Sequence, residues 1–178
     1  MALIRKLDKP NGIYFYLTEQ YTCSYIEGHQ ARSKVASPPQ LINFDSYNNL
    51  IAMGFRRSGV FSYKPHCDKC SSCIPIRIPV DKFLPNRTQK RTFKRLKKNL
   101  EPCNEELSFK EEHFLLYKKY QSIRHYGSGM DQDNRDEYTQ FLLASSVKTE
   151  LVTFRDKFNT LKMVCIFDVL NNGISSVY

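Results

Sequence analysis

Apolar and polar residues alternate through IYFYLT (13–18), and this period of two predicts a short strand after the Pro10-Asn11-Gly12 turn. The following CSYIEGHQARSKVASPPQ (23–40) is polar, carries a glycine and a proline pair, and reads as a loop. In QLINFDSYNNLIAM (40–53), Leu41, Phe44, Tyr47 and Ile51 recur at helical spacing, with Gly54 as the stop. Residues 55–64 (FRRSGVFSYK) and 74–80 (IPIRIPV) read as strands flanking a cysteine loop. Pro75 and Pro79 confine the second to an edge or an irregular path, because proline donates no ladder hydrogen bond. NRTQKRTFKRLKK (86–98) contains no Gly or Pro and predicts a helix. A shift in composition at Leu100–Glu106 marks a domain boundary.

The second half predicts a strand at 106–110 (ELSFK) and a helix over Glu111–His125, with Phe114, Leu115, Tyr117, Tyr120 and Ile123 facing inward. The loop GSGMD leads to a second helix, Arg135–Ser146, with Tyr138, Phe141 and Leu142 inward. Strands follow at ELVTFRD, KMVCIFDVL and ISSVY, the last two joined as a hairpin by Asn171-Asn172-Gly173. The order β-α-α-β-β-β matches the first half of the GNAT (acyl-CoA N-acyltransferase-like) fold. The expected class is therefore α+β, with an N-terminal cysteine-bearing α/β region over 1–103 and the first part of a GNAT-like domain over 104–178, incomplete at its C-terminal end. Nothing caps the edge strand at Tyr178, so the expectation is either a partner at that edge or a fragment of a longer chain.

With 41% apolar residues among 178, the composition is globular. No run of eighteen apolar residues suggests a membrane span, and the start lacks a signal-peptide core, so a cytoplasmic address is expected. The balance of 27 basic and 18 acidic residues gives a net charge of +9, which favours a polyanionic partner, nucleic acid or an anionic membrane surface. Disulfides are not expected among the six cysteines of a chain with no secretory signal.

Four groups of residues carry candidate chemistry. In PHCDKCSSC, the spacing Cys67-x2-Cys70-x2-Cys73 suits one tetrahedral metal or an iron–sulfur cluster, with Cys23 or His66 completing the shell; three unliganded thiols beside a tight loop fit the same spacing. Arg87, Lys90, Arg91, Lys94, Arg95 and Lys98 would line one stripe of a helix as phosphate contacts, or simply as a solvated face. Arg56, Arg57, Tyr63 and Lys64 form a basic and phenolic group that suits a carboxylate or phosphate, although taken by itself it reads first as ordinary surface charge. His125 and Asp131 are a candidate base and its partner; the alternative is a helix exit with Asp131 capping the next helix.

In order along the chain, YTCSYIEGHQARSKVA, GFRRSGVFSYKPHCDKCSSCIPIRIPVDKF, NRTQKRTFKR, LYKKYQSIRHYGSGMD, YTQFLLAS and FDVLNNGISSVY resemble the bacterial aspartate/glutamate leucyltransferases, relatives of the eukaryotic arginyl-tRNA–protein transferases. The resemblance implies transfer of leucine from leucyl-tRNA to a protein with N-terminal Asp or Glu, which then enters N-terminal-rule degradation. It implies no ATP and no required cofactor, since the aminoacyl ester is already activated. It maps a zinc or iron–sulfur segment of relatives onto Cys23, Cys67, Cys70 and Cys73. Family members continue beyond SSVY, and many carry a Trp where this chain has Val147. Three alternatives stay open: arginyl transfer by the same chemistry, a non-catalytic zinc-stapled RNA-binding module, and an ordinary N-acetyltransferase. No Ser-His-Asp order is evident, so no covalent acyl-enzyme is expected.

Overall fold

The computed structural model describes residues 12–127 and 130–178; Pro10 and Asn11 of the predicted first turn lie outside them. The protein is α+β, with mixed helices and antiparallel sheets. The first four-stranded sheet has the order β1-β4-β6-β5, with β1 Tyr14–Leu17, β4 Ser33–Ser37, β5 Arg56–Ser58 and β6 Phe61–Pro65. A two-stranded ribbon, β2 Tyr21–Thr22 and β3 Gln30–Ala31, stands apart from it. The stretch read from sequence as a loop therefore contains the strand that holds this sheet together. β4 pairs with β1 on one side and with β6 on the other, and it buries Ser33, Val35 and Ala36. Five residues among glycines and prolines give no clear period, so pairing on both sides, not local pattern, makes this a strand.

Helix α1, Phe44–Ala52, covers one face of that sheet. Asn43 and Ser46 close a reciprocal capping box at its start. Its end is a left-handed Gly54 (φ +84), with the Phe55 amide donating to Leu50 O at 3.0 Å. Tyr47 and Leu50 point inward and join Ile13, Phe15, Ala36, Ile42 and Phe55 in the first core, while Leu41 and Phe44 remain exposed. Residues 74–80, expected as a strand, form none, and Ile74, Ile76 and Ile78 lie in solvent. The two prolines cannot donate, and no neighbouring strand pairs with the segment.

The second sheet is antiparallel in the order β10-β9-β8-β7, with β7 Glu101–Glu105, β8 Thr149–Arg155, β9 Leu161–Leu170 and β10 Gly173–Ser176. The strand expected at 106–110 lies five residues earlier, and residues 106–108 make a turn closed by Ser108 N–H donating to Glu106 O. The 103/104 division thus falls inside β7. The Asn171-Asn172 turn closes the β9–β10 hairpin as expected.

Helices α3, Glu111–Arg124, and α4, Arg135–Tyr138, precede β8, and α4 continues as a π turn over Thr139–Leu143. The inward face of α3 is His113, Phe114, Tyr117 and Gln121, not Leu115, Tyr120 and Ile123, which are exposed. Two polar residues occupy that face, which shifted the expected stripe. Phe114, Tyr117, Tyr138, Leu142, Leu143, Leu151 and Ile166 form the second core. Among the described residues, no helix is long and apolar enough to cross a membrane.

One buried ion pair joins the two cores. Arg57 Nε and Nη2 donate to the two carboxylate oxygens of Asp168 at 2.9 Å each, with both side chains almost wholly out of solvent. Arg57 Nη1 donates to Gly59 O at 2.8 Å and Ala144 O at 3.0 Å, and Nη2 reaches Thr149 Oγ1 at 3.4 Å. Asp168 also accepts from Tyr47 Oη at 2.5 Å and Thr149 Oγ1 at 2.6 Å. Burial and the neighbouring carboxylate push the Tyr47 phenol well above its ordinary range. Removing one partner leaves a buried charge without its counterion, so Asp168→Asn should destabilise the fold by about 3–5 kcal/mol. Chemical denaturation should also show partial recovery in Arg57→Met/Asp168→Leu, which removes both charges.

Candidate functional site

The basic stripe is a real helix, α2, Arg87–Asn99, closed at its start by a reciprocal box between Asn86 and Gln89. Its sequence contains no acid, and it buries no residue. Arg87, Lys90, Arg91, Lys94, Arg95 and Lys98 fall on one side by helical spacing, and Phe93 and Leu96 fall on the other, both exposed. Like charges at i,i+4 repel, and no packing compensates them here. Such a surface offers a row of cations to a run of phosphates.

The four residues grouped around β5 and β6 separate in the structure. Arg56 and Tyr63 are direct cross-strand partners and share the face turned away from α1. Burial raises the Tyr63 phenol pKa, and the Arg56 charge and hydrogen bond oppose that shift. Lys64 lies on the other face, donates to Met53 O at 3.1 Å and sits 5.1 Å over the Phe55 ring. Arg57 is removed from the candidate set. All five of its N–H donors are engaged inside the fold, and none is left for a substrate carboxylate. The sequence did not single out Lys34, which stands directly opposite Lys64 in the β4–β6 register. Two like charges opposed across strands are unfavourable and suit an anion. Only the strand register, invisible while 23–40 reads as a loop, brings the two lysines together.

Cys23 lies in the loop of the β2–β3 ribbon, its amide donating to His29 O. Cys67 Sγ makes a 3.9 Å contact with Arg32 O, and Cys70 Sγ one of 3.4 Å with Ser72 Oγ. Cys23, Cys67, Cys70 and Cys73 are all free thiols. Among the described residues, no group of three or more His, Cys, Asp or Glu side chains is placed to hold a metal ion. The four thiols therefore do not form the shell that their spacing suggests, and the donor set as placed does not fit zinc or an iron–sulfur cluster. His125 is exposed beside the Tyr120 ring, and Asp131 Oδ2 accepts from the Gly127 amide at 2.9 Å. Asn134, not Asp131, caps α4.

A cavity of about 450 Å³ opens between α3 and β9, lined mostly by apolar and aromatic side chains, with His113 and Lys162. Sequence reading missed His113 because it stands on the apolar face of a helix. Burial lowers its pKa and keeps the imidazole neutral, against the pull of Glu105 and Glu112. Its Nε2 lies 3.5 Å from Glu105 Oε2, and neither ring nitrogen makes a hydrogen bond in the protein. Glu105 also accepts from Lys110 at 2.5 Å and Thr153 Oγ1 at 2.8 Å. Arg155 binds Glu112 through two hydrogen bonds.

Residues 21–91 match the family described as "Arginine-tRNA-protein transferase, N terminus", and residues 112–178 match its "C terminus" counterpart. The chain is 49% identical over 166 residues to the aspartate/glutamate leucyltransferase of Thiobacillus denitrificans, covering 93% of this chain and 68% of that protein. The protein of the same name from Chromobacterium violaceum is 44% identical over 177 residues, 98% of this chain and 71% of the relative. The one from Pseudomonas putida is 39% identical over 164 residues, 92% and 69% respectively. The chain thus spans about two thirds of the length of these relatives.

The charge cluster beside His113 makes stability depend on acid. The Lys110 hydrogen bond, before all else, holds Glu105 at about 2, against an ordinary value of 4.5. The folded carboxylate keeps its charge where the unfolded one is protonated. Its contribution is present above pH 4.5 and is lost as the pH falls from there through about 2. Glu105→Gln should flatten the loss of unfolding free energy over that window, as followed by urea denaturation at stepped pH.

Proposed function

Because the chain belongs to the aspartate/glutamate leucyltransferase family, we propose that it transfers leucine from leucyl-tRNA to the N-terminal Asp or Glu of a protein, marking that protein for N-terminal-rule degradation. The observation that carries this reading is the run of 49% identity across 93% of the chain to a relative of that name. The reaction is acyl transfer. The acceptor α-amine attacks the leucyl carbonyl carbon, a C–N bond forms, the ester bond to the tRNA ribose breaks, and the proton lost by the amine ends on the released ribose hydroxyl. No ATP enters, because the ester is already activated, and the reaction requires no cofactor. It needs positioning, a donor for the oxyanion and an acceptor for the amine proton. Charged tRNA is a cytoplasmic substrate, and the reading places the enzyme there.

The stripe Arg87, Lys90, Arg91, Lys94, Arg95 and Lys98 is the tRNA backbone contact in this reading. The solvation of all of α2 supports it, since a polyanion would relieve the repulsion along the helix. The acidic N-terminal residue is read by Arg56 with Tyr63, or by Lys64 with Lys34. The order β7-α3-α4-β8-β9-β10 supports taking residues from β7 onward as the first part of a GNAT-like domain, with the ribbon and first sheet as the N-terminal domain. Zinc or an iron–sulfur cluster on Cys23, Cys67, Cys70 and Cys73 has no part in the reading, because the thiols as placed form no shell. Arginyl transfer by the same chemistry is the second reading, favoured by the description of the matching family.

Incubating the 178-residue chain with labelled leucyl- or arginyl-tRNA and peptides beginning with Asp, Glu or Asn tests both readings. Label should pass from leucyl-tRNA to the Asp and Glu peptides and not to the Asn peptide; label from arginyl-tRNA alone establishes the second reading, and no transfer overturns both. Arg56→Ala should lower the Asp-over-Asn preference by about tenfold, the loss of one charge-assisted hydrogen bond. An unchanged preference moves acidic recognition to Lys34 and Lys64.

Replacing Lys90, Arg91, Lys94 and Arg95 by Ala should weaken tRNA binding. It should also make the plot of log affinity against log salt shallower by about 0.7–0.9 for each phosphate no longer neutralised. The same slope with weaker binding would rule α2 out as the backbone contact.

A further inference from the structure

We propose that the cavity between α3 and β9 is the leucyl subsite, holding the isobutyl side chain against Leu116, Leu142 and Val164 and the α-amino ester against His113. This rests on leucyl transfer as the activity and names where the donor amino acid sits.

Three observations point to this ligand. The cavity, at about 450 Å³, is within the range of small-molecule sites and large for one amino-acid side chain, which leaves room for the ester. Apart from His113 and Lys162, whose ammonium is paired with Asp156 at 3.1 Å, its wall is apolar and aromatic, which favours an aliphatic side chain and penalises a charged one stripped of water. His113 lines it with a fully buried side chain whose two ring nitrogens both lack a hydrogen-bond partner. Buried polar groups are nearly always paired, so an unpaired one on a cavity wall suits a ligand. A neutral imidazole offers one donor and one acceptor. An α-amino ester offers the complement, amine N–H groups to donate and a carbonyl oxygen to accept. Near this wall, Gln121 Nε2 donates to the Tyr178 hydroxyl at 2.9 Å, and its buried Oε1 also has no partner. An apolar plug, such as another hydrophobic segment, would leave all three atoms unsatisfied.

Met163 lies on the cavity wall, while Met53 ends α1 and Met130 lines a different cavity. In the chain labelled with ¹³C-methyl methionine, titration with L-leucine methyl ester should shift the Met163 methyl resonance saturably and leave Met53 and Met130 in place. L-valine methyl ester, one methylene shorter, should bind about tenfold more weakly or worse. The arginine and aspartate methyl esters should not shift it. Leu116→Trp, which fills the cavity, should abolish the response, and His113→Phe should weaken it about tenfold, the cost of removing one hydrogen-bonding partner. Unmoved Met53 and Met130 resonances report that each variant is folded. If a variant unfolds, the titration of the unaltered chain decides alone. A Met163 signal that ignores leucine methyl ester, or responds equally to arginine methyl ester, overturns the subsite. Leucyl transfer without a Met163 response removes this cavity and keeps the activity, whereas a leucine-selective response without transfer keeps the subsite and removes the activity.

Discussion

Arg57 and Asp168 lie 111 positions apart in the chain and meet with both carboxylate oxygens engaged. A buried pair of this kind is not a large source of net stability, because taking both ions out of water offsets most of their attraction. Its effect is geometric. A planar guanidinium with five donors accepts few arrangements of partners, and here those partners are Gly59 O, Ala144 O, Thr149 Oγ1 and Asp168. They come from the β5–β6 turn, the exit of the π turn, β8 and β9. This side chain therefore ties the first sheet to the second, alongside the Tyr47–Asp168 and Asn171–Asn48 hydrogen bonds. Gly59 shows how close that approach is: a Cβ added there would meet Gln140 O at 2.3 Å, and its amide donates to Phe141 O at 2.9 Å.

With the two sheets fixed, the remaining sequence divides sharply by burial. The cores lie under α1 and under α3 with α4. The stretch from the cysteine loop through α2 joins neither. Its apolar residues are exposed, Ile76 at 89% and Leu84 at 90%, and its helix carries only positive charge. Hydrophobic burial does not account for this arm, and its charge opposes helix formation. Its capping box and helix-permissive sequence remain as local support. A segment built in this way gains most from a partner that brings the opposite charge.

Where a single element carried its own period, the sequence reported it. The capped helix at 44–52, the hairpin at 171–172 and the uninterrupted basic helix follow from local rules and stand where those rules put them. Three of the failures are non-local. β4 is a strand because two neighbours pair with it, and the row IPIRIPV is not one because none does. The misjudged face of α3 has the same origin. His113 and Gln121 break the apolar stripe, and nothing in a 3.6-residue period says that a cavity and a tyrosine hydroxyl lie opposite them. Arg57 read as a surface cation for an equivalent reason, since its counterion lies in the other half of the chain.

The two arginines at 56 and 57 bear on how chemistry is assigned from sequence. Adjacent residues on a strand point to opposite faces, so a doublet of identical charges is rarely one site. Here the pleat sends Arg57 inward to a carboxylate and leaves Arg56 half-buried beside a tyrosine. A substrate carboxylate and Asp168 are the same chemical group, so sequence cannot tell which arginine meets which. Burial decides it: the inward arginine is saturated by carboxylate, carbonyl and hydroxyl acceptors before any ligand arrives. The outward one keeps donors for a ligand only because its partner is a phenol and not an acid. The pleat thus leaves Arg56, and not Arg57, on the face of this sheet that lacks its own carboxylate.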